Sequence, residues 1–153
     1  MRNILPVPIL ALALLAACQS ADRKSSSSDS NGKDFLTAET KQCYYYIKDK
    51  DTATLNLDRS NDQVKGVLSY KLYEKDANNG VIAGIVRGDT IIADYTFQSE
   101  GATSIRQVVW LKQDNNLIEG FGDIHEVNGK TVFKNISSLN FEKAMVFTKT
   151  DCK

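Results

Sequence analysis

The chain has 153 residues, 42% hydrophobic and 25% charged, with 19 basic side chains against 19 acidic ones. That length suits one domain with a core and leaves no room for a second sizeable one, and zero net charge lacks the basic footprint of nucleic-acid binding. One His and three Cys are too few for a multi-ligand soft-metal site, and no P-loop, dinucleotide glycine fingerprint or Cys-x-x-Cys occurs, so neither metal nor cofactor is expected.

The chain opens with Met1-Arg2-Asn3 and a wholly apolar run over residues 4–17. This run is too short to span a bilayer and suits the hydrophobic region of a signal peptide. It ends in Leu15-Ala16-Ala17-Cys18, which resembles the lipobox of bacterial lipoproteins. The resemblance implies a signal peptide over residues 1–17 and an acylated, palmitate-bearing Cys18 as the mature N-terminus; a plain secretory signal with a chance cysteine is the alternative. Acyl chains contribute roughly 0.8 kcal/mol per buried CH2, so several on one cysteine hold a protein firmly at a membrane. Residues 18–41 then form a polar tether, with six Ser among residues 19–33, a composition unable to offset its ordering entropy by burial. Gln19 stands where an Asp would resemble an inner-membrane retention signal, so the outer membrane is favoured, on either its periplasmic or its external face. Both prolines, Pro6 and Pro8, precede the tether.

Cys43 and Cys152 remain, one near each end of the folded region, residues 42–153. In an oxidising envelope they are expected to form a disulfide, with two independent thiols as the alternative. The bridge closes a loop of about 110 residues, for which chain entropy gives roughly 4–5 kcal/mol. It also makes the first and last strands neighbours.

From residue 42 onward the hydrophobic pattern has period two. Ala53, Leu55 and Leu57 alternate with polar residues, as do Val64, Gly66, Leu68, Tyr70 and Leu72, and then Ile91, Ala93, Tyr95 and Phe97. Asn78-Asn79-Gly80, Gly88-Asp89, Glu100-Gly101, Asp114-Asn115-Asn116 and Asn128-Gly129 are turn signals. They delimit further strands over residues 81–87, 90–98, 105–112, 117–127, 130–134 and 144–150, with a helical turn at 135–141. The pattern predicts an all-β fold: an up-and-down antiparallel meander of eight to nine strands closed into a small barrel, which removes its edges. A β-sandwich is the runner-up. Gly66, Gly84, Gly120 and Gly122 fall inside the predicted strands, where glycine permits tight coiling.

Cys43-Tyr44-Tyr45-Tyr46, Tyr70-x-x-Tyr73-Glu74-Lys75-Asp76, Gly88-Asp89-Thr90-Ile91-Ile92-Ala93-Asp94-Tyr95 and Asp151-Cys152 resemble a group of small lipoproteins of Bacteroidetes-type bacteria. The succession of Gly-turned antiparallel strands resembles the calycins, the lipocalins and avidins, which implies a barrel. Asp51-Thr52-Ala53 and Asp89-Thr90-Ile91 resemble the O-glycosylation motif of the same bacteria, so Thr52 and Thr90 are candidate modification sites.

Catalytic signals are sparse, and no enzyme is expected. His125 has no Gly-x-Ser-x-Gly elbow to serve. Glu119 and Asp123, four apart on one predicted strand, share a face and read either as an acid–base pair or as exposed carboxylates. Tyr44, Tyr45 and Tyr46 alternate in facing, as a partner-binding patch or as rim packing. The candidate ligand-binding set is Tyr70, Tyr95, Phe97, Arg106 and Trp110, aromatic area with an Arg to orient a carboxylate or phosphate; the alternative makes the aromatics core and Arg106 an external partner of Glu100 or Glu119. The expected function is a monomeric, non-enzymatic binding module for a small apolar or amphipathic ligand. A protein-interaction module, such as an envelope assembly or stress factor or a hydrolase inhibitor, is the alternative.

Overall fold

A computed structural model describes residues 40–153, with Glu100 and Lys143 excepted. The predicted signal peptide, Cys18 and the tether to residue 39 lie outside the described residues. Ten strands follow in order: β1 Thr40–Lys48, β2 Asp51–Ser60, β3 Gln63–Lys71, β4 Asn78–Arg87, β5 Thr90–Ser99, β6 Ala102–Gln113, β7 Asn116–Glu119, β8 Ile124–Val127, β9 Lys130–Phe133 and β10 Val146–Thr150. Each of β1 to β6 pairs antiparallel with the next. The last strand, β10, then inserts between β7 and β1, antiparallel to both. The ring so closed has eight strands, a meander barrel as the alternation predicts.

Closure rests on the two chain ends. Cys43 lies opposite Thr150 across the β1–β10 ladder, and the Cys43–Cys152 disulfide holds the two Cα atoms 5.2 Å apart. The predicted bridge is present.

The interior is the apolar stripe of each strand. Ala53, Leu55, Leu57, Val64, Leu68, Tyr70, Ile82, Val86, Ile91, Ala93, Tyr95, Val108, Trp110, Leu117 and Phe147 join Tyr44 in one buried cluster. Burial of each large side chain contributes roughly 1.5–3 kcal/mol, which drives the sheet to roll up. Rolling also brings strands very close. At Gly66 a Cβ would collide with the Asn56 carbonyl of β2, and at Gly84 with the Ile92 carbonyl of β5. These two glycines allow neighbouring backbones to approach on the lumen side.

Three expectations are corrected. Asn78-Asn79-Gly80 is not the turn but the start of β4, with Tyr70 facing Asn78 and Leu68 facing Gly80. The chain turns earlier, through residues 72–77, where Glu74 adopts a positive φ of 55°. Residues 117–127 are not one strand. β7 stops at Glu119 and β8 starts at Ile124, so Gly120 and Gly122 belong to a bend, with the Leu139 side chain packed where their Cβ atoms would be. Beyond that bend, β8 and β9 form a hairpin outside the ring, and β9 lies parallel to β6 at Ile105 and Arg106. The Lys130–Asp94 ion pair ties the hairpin to β5. The helical turn predicted after residue 134 is a 3-10 turn, Ile136–Ser138, whose Asn135 side chain accepts from the Ser137 amide.

Candidate functional site

Strands β3, β5, β6 and β7 bring the predicted ligand-binding residues together inside one end of the barrel. Tyr95 of β5 stands opposite Arg106 of β6, and Trp110 of β6 stands opposite Glu119 of β7. Tyr70 and Tyr95 alternate with less buried residues along β3 and β5, and Arg106 and Trp110 share one face of β6, although Val109 between that face's residues is buried as well. The Tyr70 hydroxyl donates to Glu119 Oε1 at 2.7 Å.

Arg106 is the centre of the group. Its Cζ lies 5.1 Å from the centre of the Tyr70 ring, 5.4 Å from that of Tyr95 and 5.6 Å from that of Phe97. Tyr95 and Phe97 stack on each other at 4.7 Å, and Tyr70 meets Tyr95 edge-on at 5.9 Å. A guanidinium among three ring faces is held by cation–π attraction, stronger where water is scarce. Arg106 is thus inside the barrel, not an external salt-bridge partner, and it forms no ion pair among the described residues.

Its neighbours are not all satisfied. Arg106 Nε, Tyr95 Oη, Trp110 Nε1 and Glu119 Oε2 are buried without a hydrogen-bond partner. An unpaired buried polar atom costs about 1–3 kcal/mol. Burial raises the Glu119 carboxyl above its ordinary range, against the opposing pull of the Tyr70 hydrogen bond and the Arg106 charge. Burial and then the Glu119 charge push the Tyr70 phenol well up, with Arg106 opposing. Burial pushes Tyr95 up to about 12.

The group has a way out. Below Trp110 the paired wall of β6 ends on one side, and β9 takes over only at Arg106. In the gap, Gln107 Oε1 accepts from the Phe133 amide at 3.2 Å. The opening left there is about 250 Å³ and is lined by Arg106, Val108, Glu119, Phe121, Ile124 and Phe133, among others. Apolar walls surround one cationic and one carboxylic side chain.

The five predicted residues therefore divide. Tyr70, Tyr95 and Trp110 are 4%, 0% and 0% exposed and pack the lumen, where Trp110 meets Phe147 edge-on at 6.3 Å. Phe97 is half-buried and leans on that cluster. Only Arg106 reaches the opening, in company with Glu119. Glu119 does not share a strand face with Asp123, which lies exposed beyond the bend, and His125 is exposed on β8. The signal for Glu119 was the Leu117-x-Glu119 alternation, which places both residues inward.

The other candidates lie outside this group. Thr52 and Thr90 are half-buried near the starts of β2 and β5. Tyr44 is buried and Tyr45 is 40% exposed, while Tyr46 packs against the core from its edge. Among the described residues no group of three or more His, Cys, Asp or Glu is placed to hold a metal ion. No family model matches the chain, and neither the curated proteins nor the solved structures compared with it gave a match.

Proposed function

We propose that this chain is a bacterial lipoprotein, tethered to the outer membrane through an acylated Cys18, whose barrel is a monomeric, non-enzymatic binding module for a small amphipathic ligand with an acidic head. The observation that carries the reading is Arg106, a guanidinium inside the barrel with no ion-pair partner among the described residues, at the floor of an apolar-walled opening. Arg106 Nε needs an acceptor and Glu119 Oε2 needs a donor. A head group that keeps one proton, such as a carboxyl or a phosphate monoester, offers both. The opening is just under the ~300 Å³ of the smallest ligand pockets, so it takes a head group and the start of a chain, with the rest lying over Phe121, Ile124 and Phe133.

The chain has one Trp, so emission from Trp110 reports on the lumen alone. Dodecanoate and dodecyl phosphate should change that emission saturably, and dodecanol should bind more weakly. Arg106→Ala should weaken the acids by roughly 1.5–3 kcal/mol without unfolding the barrel. Equal affinity in the variant, or no saturable change, overturns the reading. Cys18→Ala should leave the membrane fraction.

A second reading, a protein-interaction module, is favoured by the surface beside the same bend. Ile47, Phe121 and Val146 are 64%, 47% and 43% exposed and border one groove with Tyr46 and Met145. Capture of a defined envelope protein that is lost on Phe121→Ser, with no ligand effect at Arg106, would favour it.

A further inference from the structure

We infer that the opposite end of the barrel carries a second site, built for a small organic anion with an apolar body, such as an aromatic or short-chain carboxylate. In an antiparallel meander the turns alternate between the two ends. The β2–β3, β4–β5 and β6–β7 turns surround the end away from Arg106, and between them lies a cup of about 150 Å³. None of the residues that line it also lines the opening at Arg106.

The floor and the rim of the cup differ in chemistry. Tyr44, Leu57, Val64, Val86, Ile91 and Leu117 line it, each under a tenth exposed, so its base is apolar. The cup has about the volume of a cavity that takes up benzene, ~150 Å³, but it opens to solvent past its polar rim. The rim is polar, with Arg59 and Lys112 against one carboxylate, Asp89. Neither cation is ion-paired to Asp89 among the described residues.

The rim is also held in place. Arg59 Nε donates to the Asn61 carbonyl at 2.8 Å, and Asn61 is fixed in the β2–β3 turn at φ 53°. That bond leaves the other guanidinium N–H groups for an acceptor. The Lys112 amide donates to the Asp89 carbonyl at 2.7 Å, which joins the strand bearing Lys112 to the β4–β5 turn. The Tyr44 hydroxyl donates to Gln42 Oε1 at 2.8 Å, and both side chains line the cup. A carboxylate on a six- to eight-carbon body matches the fixed donors and net positive rim above, and the apolar floor below.

Benzoate, hexanoate and benzyl alcohol are the probes, titrated into the disulfide-intact protein and followed by NMR of the methyl groups. Benzoate and hexanoate should shift Val64, Val86, Ile91 and Leu117 saturably. Arg59→Gln with Lys112→Gln should weaken both acids roughly five- to tenfold while the alcohol keeps its affinity. Val86→Phe, which fills the cup, should abolish binding of all three. The inference is overturned if no probe saturates, if the shifts fall on Val108 and Ile124 at the other opening, or if the rim variant binds the acids as well as before. Should Val86→Phe not fold, the rim variant still decides, because it leaves the floor intact.

Discussion

The Tyr70 hydroxyl of β3 reaches across the lumen to donate a 2.7 Å hydrogen bond to Glu119 of β7, 49 residues further along the chain. β3 and β7 are not neighbours in the ring, so the bond spans the barrel instead of running along its wall. Among the described residues it is the one hydrogen bond that the Glu119 side chain receives, since its second oxygen has none. Tyr70→Phe should therefore strand a buried carboxyl and cost about 1–3 kcal/mol. Urea unfolding would show this as a lower midpoint with unchanged slope.

The same carboxyl makes stability depend on pH. Burial raises the Glu119 pKa above its ordinary 4.5, so the folded protein holds this proton more tightly than the unfolded chain does. The stability it contributes is complete below pH 4.5 and is lost as pH rises through the folded value. Tyr70 and Tyr95 behave alike at the alkaline end, where stability falls above pH 10 because the unfolded phenols ionise first. Melting temperatures across both ranges should show two declines. Glu119→Gln should flatten the acidic one and weaken the alkaline one, because the Glu119 charge also raises both phenols.

Gly84→Ala tests the close approach of β4 and β5. The new methyl would meet the Ile92 carbonyl and lie 2.6 Å from the Ala93 side chain. Both neighbours belong to the wall, so the backbone has to spread, at a cost of about 1–3 kcal/mol. Hydrogen exchange should quicken at the β4–β5 ladder before it does so at β1–β2.

The Cys43–Cys152 bridge encloses nearly the whole described domain, its ends 109 positions apart in sequence. Replacing both cysteines by Ser should cost up to roughly 4–5 kcal/mol by chain entropy. Comparison of oxidised and reduced wild-type protein in urea is the check. The reduced protein should match the double variant.

Period-two alternation is legible wherever one face is buried and the other wet, which is why Leu55, Leu68, Ile91 and Tyr95 read correctly as interior. Arg106 and Glu119 obey the same alternation, but charged side chains on an inward stripe look like exceptions until three rings and a phenol hydroxyl are seen around them. The Asn78-Asn79-Gly80 run misleads for a related reason. Gly80 reads as a turn former, whereas it is needed because a Cβ there would strike the Thr96 carbonyl of β5. The break at Gly120 was hidden because a bend covered by Leu139 and a strand interior both call for small residues. The Cys43–Cys152 pair already places the last strand beside β1; that β7 flanks its other side depends on pairing across the whole chain, and no local pattern encodes it.

That last insertion has a consequence for timing. β1 and β7 each have an open edge until the five residues of β10 arrive, and β10 is the last of the described strands to leave the ribosome. Six hairpin ladders can zip locally from one end, yet the ring cannot shut on a nascent chain. Non-local pairing of this kind is slow because loop closure must precede its reward. The chain stays an open, curled sheet until β10 has been made, and loss of β10 would leave a sheet that never becomes a barrel.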